Sequence, residues 1–286
     1  MALEVKLGYN PYKMGAAGGA DVHSGYAGNE EWGWEGAHGN LDDTPEKRLR
    51  PGMTPSGEPG YAVSSAASTA VWATEITRRG LFDGMASKET YGTSGTLIRL
   101  RFFGGWNMPD GITGQDNFVE AAYGAGVPMG QDLPADMGGA KAPSFAVWAM
   151  KDPEAGNLDR VQIIKVWPHP LTKYPMEAIY NVAWSEADKR KMDDMGNIPA
   201  VGNTVDVSNA TWTNDIGDSQ LVAEWTDPDF DPNNRAAYYV RVLEIPTPRW
   251  STYDAVKLGI PPIEQVPASI QERAWSSPIW YTPASN

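Results

Sequence analysis

Short runs of apolar and β-branched residues, separated by turn-forming residues, dominate the second half of the chain. Phe145-Ala-Val-Trp-Ala-Met150, Val161-Gln-Ile-Ile-Lys-Val-Trp167, Ala178-Ile-Tyr-Asn-Val-Ala-Trp184, Leu221-Val-Ala-Glu-Trp225, Tyr238-Tyr-Val-Arg-Val-Leu-Glu-Ile245 and Ile279-Trp-Tyr281 each read as a strand. Lys151-Asp-Pro153, Trp167-Pro-His-Pro170, Met195-Gly-Asn197 and Asp227-Pro-Asp-Phe-Asp-Pro-Asn-Asn234 supply the turns between them. Strands in this number with no helix read between them predict a mainly antiparallel β-sandwich. The first half reads differently. Val71, Trp72, Ile76, Leu81, Phe82 and Met85 recur at three-to-five spacing, so the pattern predicts a helix over 65–86 that Ser68 or Thr69 caps, weakened by Gly80. Lys88-Glu-Thr-Tyr-Gly-Thr-Ser-Gly95 reads as a turn, and Leu97-Ile-Arg-Leu-Arg-Phe-Phe103 as a strand. Ahead of these, one short strand near Lys13–Ala17 opens into a long glycine-rich loop reaching residue 60.

Composition narrows the function classes. The chain has no cysteine, which excludes disulfides, thiolate metal sites and thiol nucleophiles. It has only three histidines, so a metal centre here must lean on carboxylates or on ligands from outside the chain. A net charge of −13, from 23 basic and 36 acidic residues, argues against nucleic acid, which is held by clustered Lys and Arg. No apolar run approaches the ~20 residues of a membrane-spanning helix. The first eight residues lack the basic and apolar regions of a secretory signal.

Few residues then carry candidate chemistry. Asp21-Val-His23 places a carboxylate and an imidazole two residues apart among glycines that let backbone approach a bound group. His38, flanked by glycine in Gly36-Ala-His-Gly39, is a second ligand or an acid–base group, or an exposed loop histidine. His169 between prolines reads as surface, and Glu75 with Arg78 as a helix-surface ion pair. Tyr91-Gly-Thr-Ser-Gly95 offers hydroxyls and amides to an anion, or is a structural turn, and lacks the lysine and length of a phosphate-binding loop. Asp227-x-Asp-x-Asp231 resembles a calcium loop in its spacing, but Pro232 stands at the sixth position and Tyr238 at the twelfth, where an EF-hand needs Gly and Glu.

Lys13-Met-Gly-Ala-Ala-Gly-Gly-Ala-Asp-Val-His-Ser-Gly25 resembles the last metal-binding segment of the polymerase-and-histidinol-phosphatase (PHP) metallohydrolases. More narrowly, the chain resembles the C-terminal half of the DUF3604 family, through Ala70–Met85, Lys88–Gly95, Arg99–Trp106, Val201–Asp206, Trp225–Pro232, Tyr239–Trp250 and Gln271–Tyr281. The resemblance implies an α/β remnant, the last part of a PHP-type distorted (β/α)7 barrel over 1–105. A glycine-rich linker over 106–140 and a β-sandwich over 141–286 follow. It also implies a metal-dependent hydrolase: a divalent metal (Zn, Mn or Fe) activates water against a small ester-like, phosphoester-type substrate. Asp21 and His23 match the family's closing ligand pair, and His38 is the catalytic candidate. The early His-x-His and Thr-Asp-His segments are absent from this sequence. Two protein ligands bind a divalent ion weakly, so the resemblance implies an incomplete centre in this chain. A truncated barrel would also expose the apolar face of Val71, Trp72, Ile76 and Phe82, which implies a homo-oligomer through that face. The alternative is a non-catalytic β-sandwich binding module that uses Trp32, Trp34 and Trp106 as exposed contacts.

Overall fold

The alternating runs of the second half pair edge to edge in the computed structural model, which describes residues 2–23, 25, 30–50, 57, 59–135 and 137–283. The strands are β1 (Ser68–Val71), β2 (Thr90–Thr93), β3 (Arg99–Gly105), β4 (Val127–Pro128), β5 (Ser144–Met150) and β6 (Leu158–Pro168). They continue with β7 (Pro175–Trp184), β8 (Gln220–Thr226), β9 (Ala236–Pro248), β10 (Ser269–Ser276) and β11 (Ile279–Tyr281). The helices are α1 (Ala2–Leu7), α2 (Pro45–Arg48), α3 (Arg78–Ala86), α4 (Phe118–Ala125) and α5 (Trp250–Leu258). One sheet runs β1-β2-β10-β9-β6-β7, with β11 also on β9, and the other runs β4-β3-β5-β8. All of these pairings are antiparallel.

The two sheets face each other across one core. Alternate residues of β3 and β5 (Leu100, Phe102, Phe145, Val147) meet alternate residues of β6 and β9 (Val161, Ile163, Tyr238, Val240, Val242). Phe145 and Tyr238 bring their ring centroids to 4.6 Å across this gap. The Tyr238 hydroxyl donates to buried Asp227 at 2.6 Å, and Lys165 Nζ sits 2.6 Å from the same carboxylate. The fold is thus mainly antiparallel β, as the pattern of the second half predicts.

The first half departs from its pattern in ways that packing explains. Residues 68–71 form a strand, because Ser-Thr-Ala-Val finds a ladder partner in Thr90–Thr93. The segment read as a turn is therefore β2, which pairs with β1 on one edge and β10 on the other. The helix begins only at Arg78, capped by Thr77, whose hydroxyl accepts from Gly80 N at 3.1 Å. Gly80 and Gly84 are the residues on which α3 closes: a Cβ on Gly84 would lie 2.6 Å from the Trp72 carbonyl oxygen. Of the expected apolar face, Trp72 packs on the core, while Ile76 is 96% and Phe82 62% exposed. The expected strand near Lys13–Ala17 is extended chain outside the ladders. The strand β10 and the helix α5 were not legible as such in the second half.

Both sheets cross the boundary that the sequence suggested at 105–140. β2 pairs with β10, and β3 pairs with β5 through its whole length. The segment 106–140 carries α4, whose Phe118 and Ala122 pack with Ile112 on Phe103 and Ala146, on the outer face of the smaller sheet. Trp34 and Trp106, read as surface contacts, are 3% and 8% exposed; Trp32 alone of the three stays open.

Residues 141–286 produced alone lack β3, and with it Leu100 and Phe102 from the core. Each such loss costs about 2–5 kcal/mol, so this segment is expected to show no cooperative urea transition by circular dichroism. A transition as sharp as that of the whole chain would contradict the shared core.

Candidate functional site

The glycine segment that leads to Asp21 lies flat on β1 and β2, and hydroxyl side chains take the place of a ladder. Ala16 N donates to Ser277 Oγ at 2.8 Å, and Thr90 Oγ1 donates to Ala16 O at 2.7 Å. Gly18 N donates to Thr69 Oγ1 at 3.0 Å, and that hydroxyl donates to Gly18 O at 2.8 Å. Glycine is needed for so close an approach: a Cβ on Gly18 would lie 2.5 Å from Ser68 O. Asp21 then turns the chain at φ 52°, a left-handed conformation that Asp tolerates better than most residues. His23 N is fixed by Ala37 O at 2.7 Å.

This course brings all three sequence candidates together. Asp21 Oδ1 and His23 Nε2 are 3.3 Å apart, with side chains 94% and 60% exposed. The His38 ring stacks on His23 with centroids 5.3 Å apart and planes 17° apart. Asp42 holds His38 in place: it accepts from Ala37 N at 2.8 Å and His38 N at 2.7 Å, and meets His38 Nδ1 at 3.2 Å. With Nδ1 on a carboxylate, Nε2 is the basic nitrogen. Two donor atoms bound tetrahedrally at ~2.0–2.1 Å stand about 3.4 Å apart, so the Asp21–His23 spacing fits one edge of such a site. Among the described residues, no group of three or more His, Asp or Glu is placed to hold a metal ion. Asp21 and His23 therefore fit a divalent ion as a partial ligand set.

The remaining candidates have structural partners. Asp227 is buried on Lys165 and Tyr238, and its Oδ1 accepts from Asp229 N at 2.9 Å, so this acidic loop is pinned by a lysine. His169 Nδ1 accepts from Leu171 N and Thr172 N within the β6–β7 hairpin. Glu75 accepts from Thr77 Oγ1 at 2.8 Å beside the start of α3. Tyr91 is buried in β2 and donates to Ile98 O at 3.0 Å.

A second group escaped the sequence reading. β9 carries one extra residue against β10, since Leu243 faces Arg273 but Pro246 faces Gln271. At this bulge Glu244 and, on β10, Glu272 are 0% and 3% exposed. Glu31 joins them from the loop, accepting from Ser65 Oγ and from Trp250 N. The three glutamates, Thr96 and the side chains of Trp32, Trp212 and Tyr253 line a pocket of about 370 Å³. Burial pushes Glu272 up to about 8; the charge of Glu31 adds to the rise, and the Ser94 hydroxyl opposes it. Burial likewise raises Glu31, against hydrogen bonds from Ser65 and Trp250. Glu244 is raised well above the ordinary carboxylate range by burial, with the charges of Glu272 and Asp152 adding to it. The signal in the sequence was Glu244 itself, which continues the alternation of the inward residues Tyr238, Val240 and Val242.

An antiparallel sandwich carrying an aspartate–histidine cluster on a glycine mount is the class the geometry defines. The profile of the family described as "Protein of unknown function (DUF3604)" matches residues 1–283, and the chain belongs to this family. No curated protein and no solved structure matches the chain.

Asp42→Ala strips three donors of their acceptor. It is expected to cost about 1–3 kcal/mol in urea unfolding, and an unchanged midpoint would mean the loop holds His38 by other means. Glu272 keeps its proton to about pH 8 when folded, against an ordinary value of 4.5. The folded state thus binds more protons between these values, and the associated stability, full below the lower one, is lost as pH rises through the upper one. Unfolding free energy is expected to fall across this window and Glu272→Gln to flatten the decline; a rise would count against the buried proton.

Proposed function

We propose that the chain contributes Asp21 and His23 as ligands to the divalent-metal centre of a PHP-type hydrolase, with His38 as the acid–base group. The observation that carries this reading is the meeting of the three residues at ligand spacing, Asp21 Oδ1 to His23 Nε2 at 3.3 Å beneath a stacked His38. In this reading residues 1–105 correspond to the last part of a distorted (β/α)7 barrel and the chain to the C-terminal half of the enzyme. The remaining ligands come from outside the described residues. A bound divalent ion (Zn, Mn or Fe) lowers the pKa of water and stabilises a developing oxyanion. Asp42 holds the His38 Nδ1 proton, which leaves Nε2 to take a proton from water or to return it to a leaving group. The exposure of Asp21 and His23 leaves room for a small ester-like substrate, and the charge of −13 disfavours a nucleic acid.

Calorimetric titration with Zn²⁺ and Mn²⁺ tests the ligand assignment. Binding weaker than about 1 µM is expected from two protein ligands, abolished by Asp21→Ala and His23→Ala. Binding that survives both substitutions would overturn the assignment. For the reaction, a form of the protein that carries the remaining ligands should hydrolyse members of a panel of phosphoesters, phosphonates and sulfate esters, and lose that activity with Asp21→Ala.

A further inference from the structure

The pocket at the β9 bulge stands apart from the aspartate–histidine cluster in its chemistry. Its three glutamates come from a loop and two adjacent strands, and their hydrogen bonding is unequal. Glu31 is served by Ser65 Oγ and Trp250 N, and Glu272 by Ser94 Oγ. Glu244 is wholly buried, yet neither of its carboxylate oxygens has a partner, and Thr96 Oγ1 in the same pocket has none either. A buried acceptor without a donor costs about 1–3 kcal/mol. Such groups are rare in folded proteins, and a ligand that completes them is one of the few explanations.

The missing partner is a donor, and the surroundings call for a positive one. Besides the three glutamates, Glu30 and Glu154 line the pocket, and Asp152 lies near enough to raise Glu244. The neighbouring cations are engaged or turned away. Lys151 Nζ donates to the carbonyls of Asp152 and Pro153, Arg249 to those of Tyr61 and Val63, and Arg273 is exposed on the outer face of β10. The pocket is far larger than a bare ion, and Trp32, Trp212 and Tyr253 form part of its wall. Aromatic faces stabilise organic cations and accommodate their alkyl groups. A calcium or magnesium ion instead asks for a shell of oxygens at about 2.0–2.6 Å.

We propose that this pocket binds a primary alkylammonium, its N–H groups donating to Glu244 and Glu272 and its alkyl chain lying against Trp32, Trp212 and Tyr253. The carboxyls hold protons in the empty pocket, so the cation binds their ionised form and releases protons. Affinity therefore rises with pH through the range in which Glu272 ionises, near 8, and falls in acid.

The test is calorimetry of the whole chain with n-butylammonium chloride at pH 8.5, in two buffers of different ionisation enthalpy. Binding at about 1 mM or tighter is expected, with buffer-dependent heat that reports proton release. Tetramethylammonium, which has no N–H, should bind at least about tenfold more weakly, and Glu244→Gln should weaken n-butylammonium by a similar factor. Trp212→Leu provides a second variant outside the carboxylate cluster, and should weaken n-butylammonium more than methylammonium. Absence of binding, equal binding of tetramethylammonium, preference for guanidinium or Mg²⁺, or indifference to both substitutions would each overturn the proposal.

Discussion

The structure depends on β9 being paired along both edges. β6 lies on one side, and β10 and β11 share the other, so every backbone group of this strand is committed and both faces must be covered. The inward face is covered by the smaller sheet through Phe145 and its neighbours. The strand then runs directly into α5, whose first residue, Trp250, is buried against Trp34. Arg48 completes the join with two bonds to Asp254 of α5, at 2.7 and 2.9 Å. A buried pair of this kind adds little net stability over an apolar contact, but removing one partner strands a charge. It therefore fixes where the loop must sit more than it strengthens the fold.

That loop positions both groups of functional interest. Residues 30–50 present Glu31 to the pocket at the bulge, and His38 with Asp42 to the exposed cluster. Trp34 and Ala37, between them, form a small core with Trp250. Gly36 allows the fold-back, with φ +87° and no room for a Cβ, which would lie 2.2 Å from Asp42 O. Two chemically different sites thus share one anchor on α5, although one is open to water and the other is enclosed.

How much of this the sequence discloses follows from the range of the forces involved. The second-half strands were legible because period-two alternation records burial on a sheet face directly. The stretch Ser68–Val71 was not, because its identity as a strand depends on Thr90–Thr93, some twenty residues away, and its apolar spacing also suits a helix. Trp34 and Trp106 read as surface because glycines surround them, yet each fills a core. Asp21, His23 and His38 were legible as chemistry, while their contact through Ala37 and Asp42 was not. Glu244 was hidden within an apolar run, where a single acid breaks the pattern without announcing its neighbours.

The hydroxyl tethers under residues 16–18 separate attachment from folding. A strand in a ladder can leave only by breaking the sheet, whereas this segment is held by Thr69, Thr90 and Ser277, side chains whose own backbones remain fully paired or capped without it. Each such bond contributes only about 1 kcal/mol. Asp21 and His23 are thus mounted on a strip that can lift from β1 and β2 at a fraction of the global unfolding free energy. The sandwich acts as a fixed bench, and the ligand pair as a fitting clipped to it.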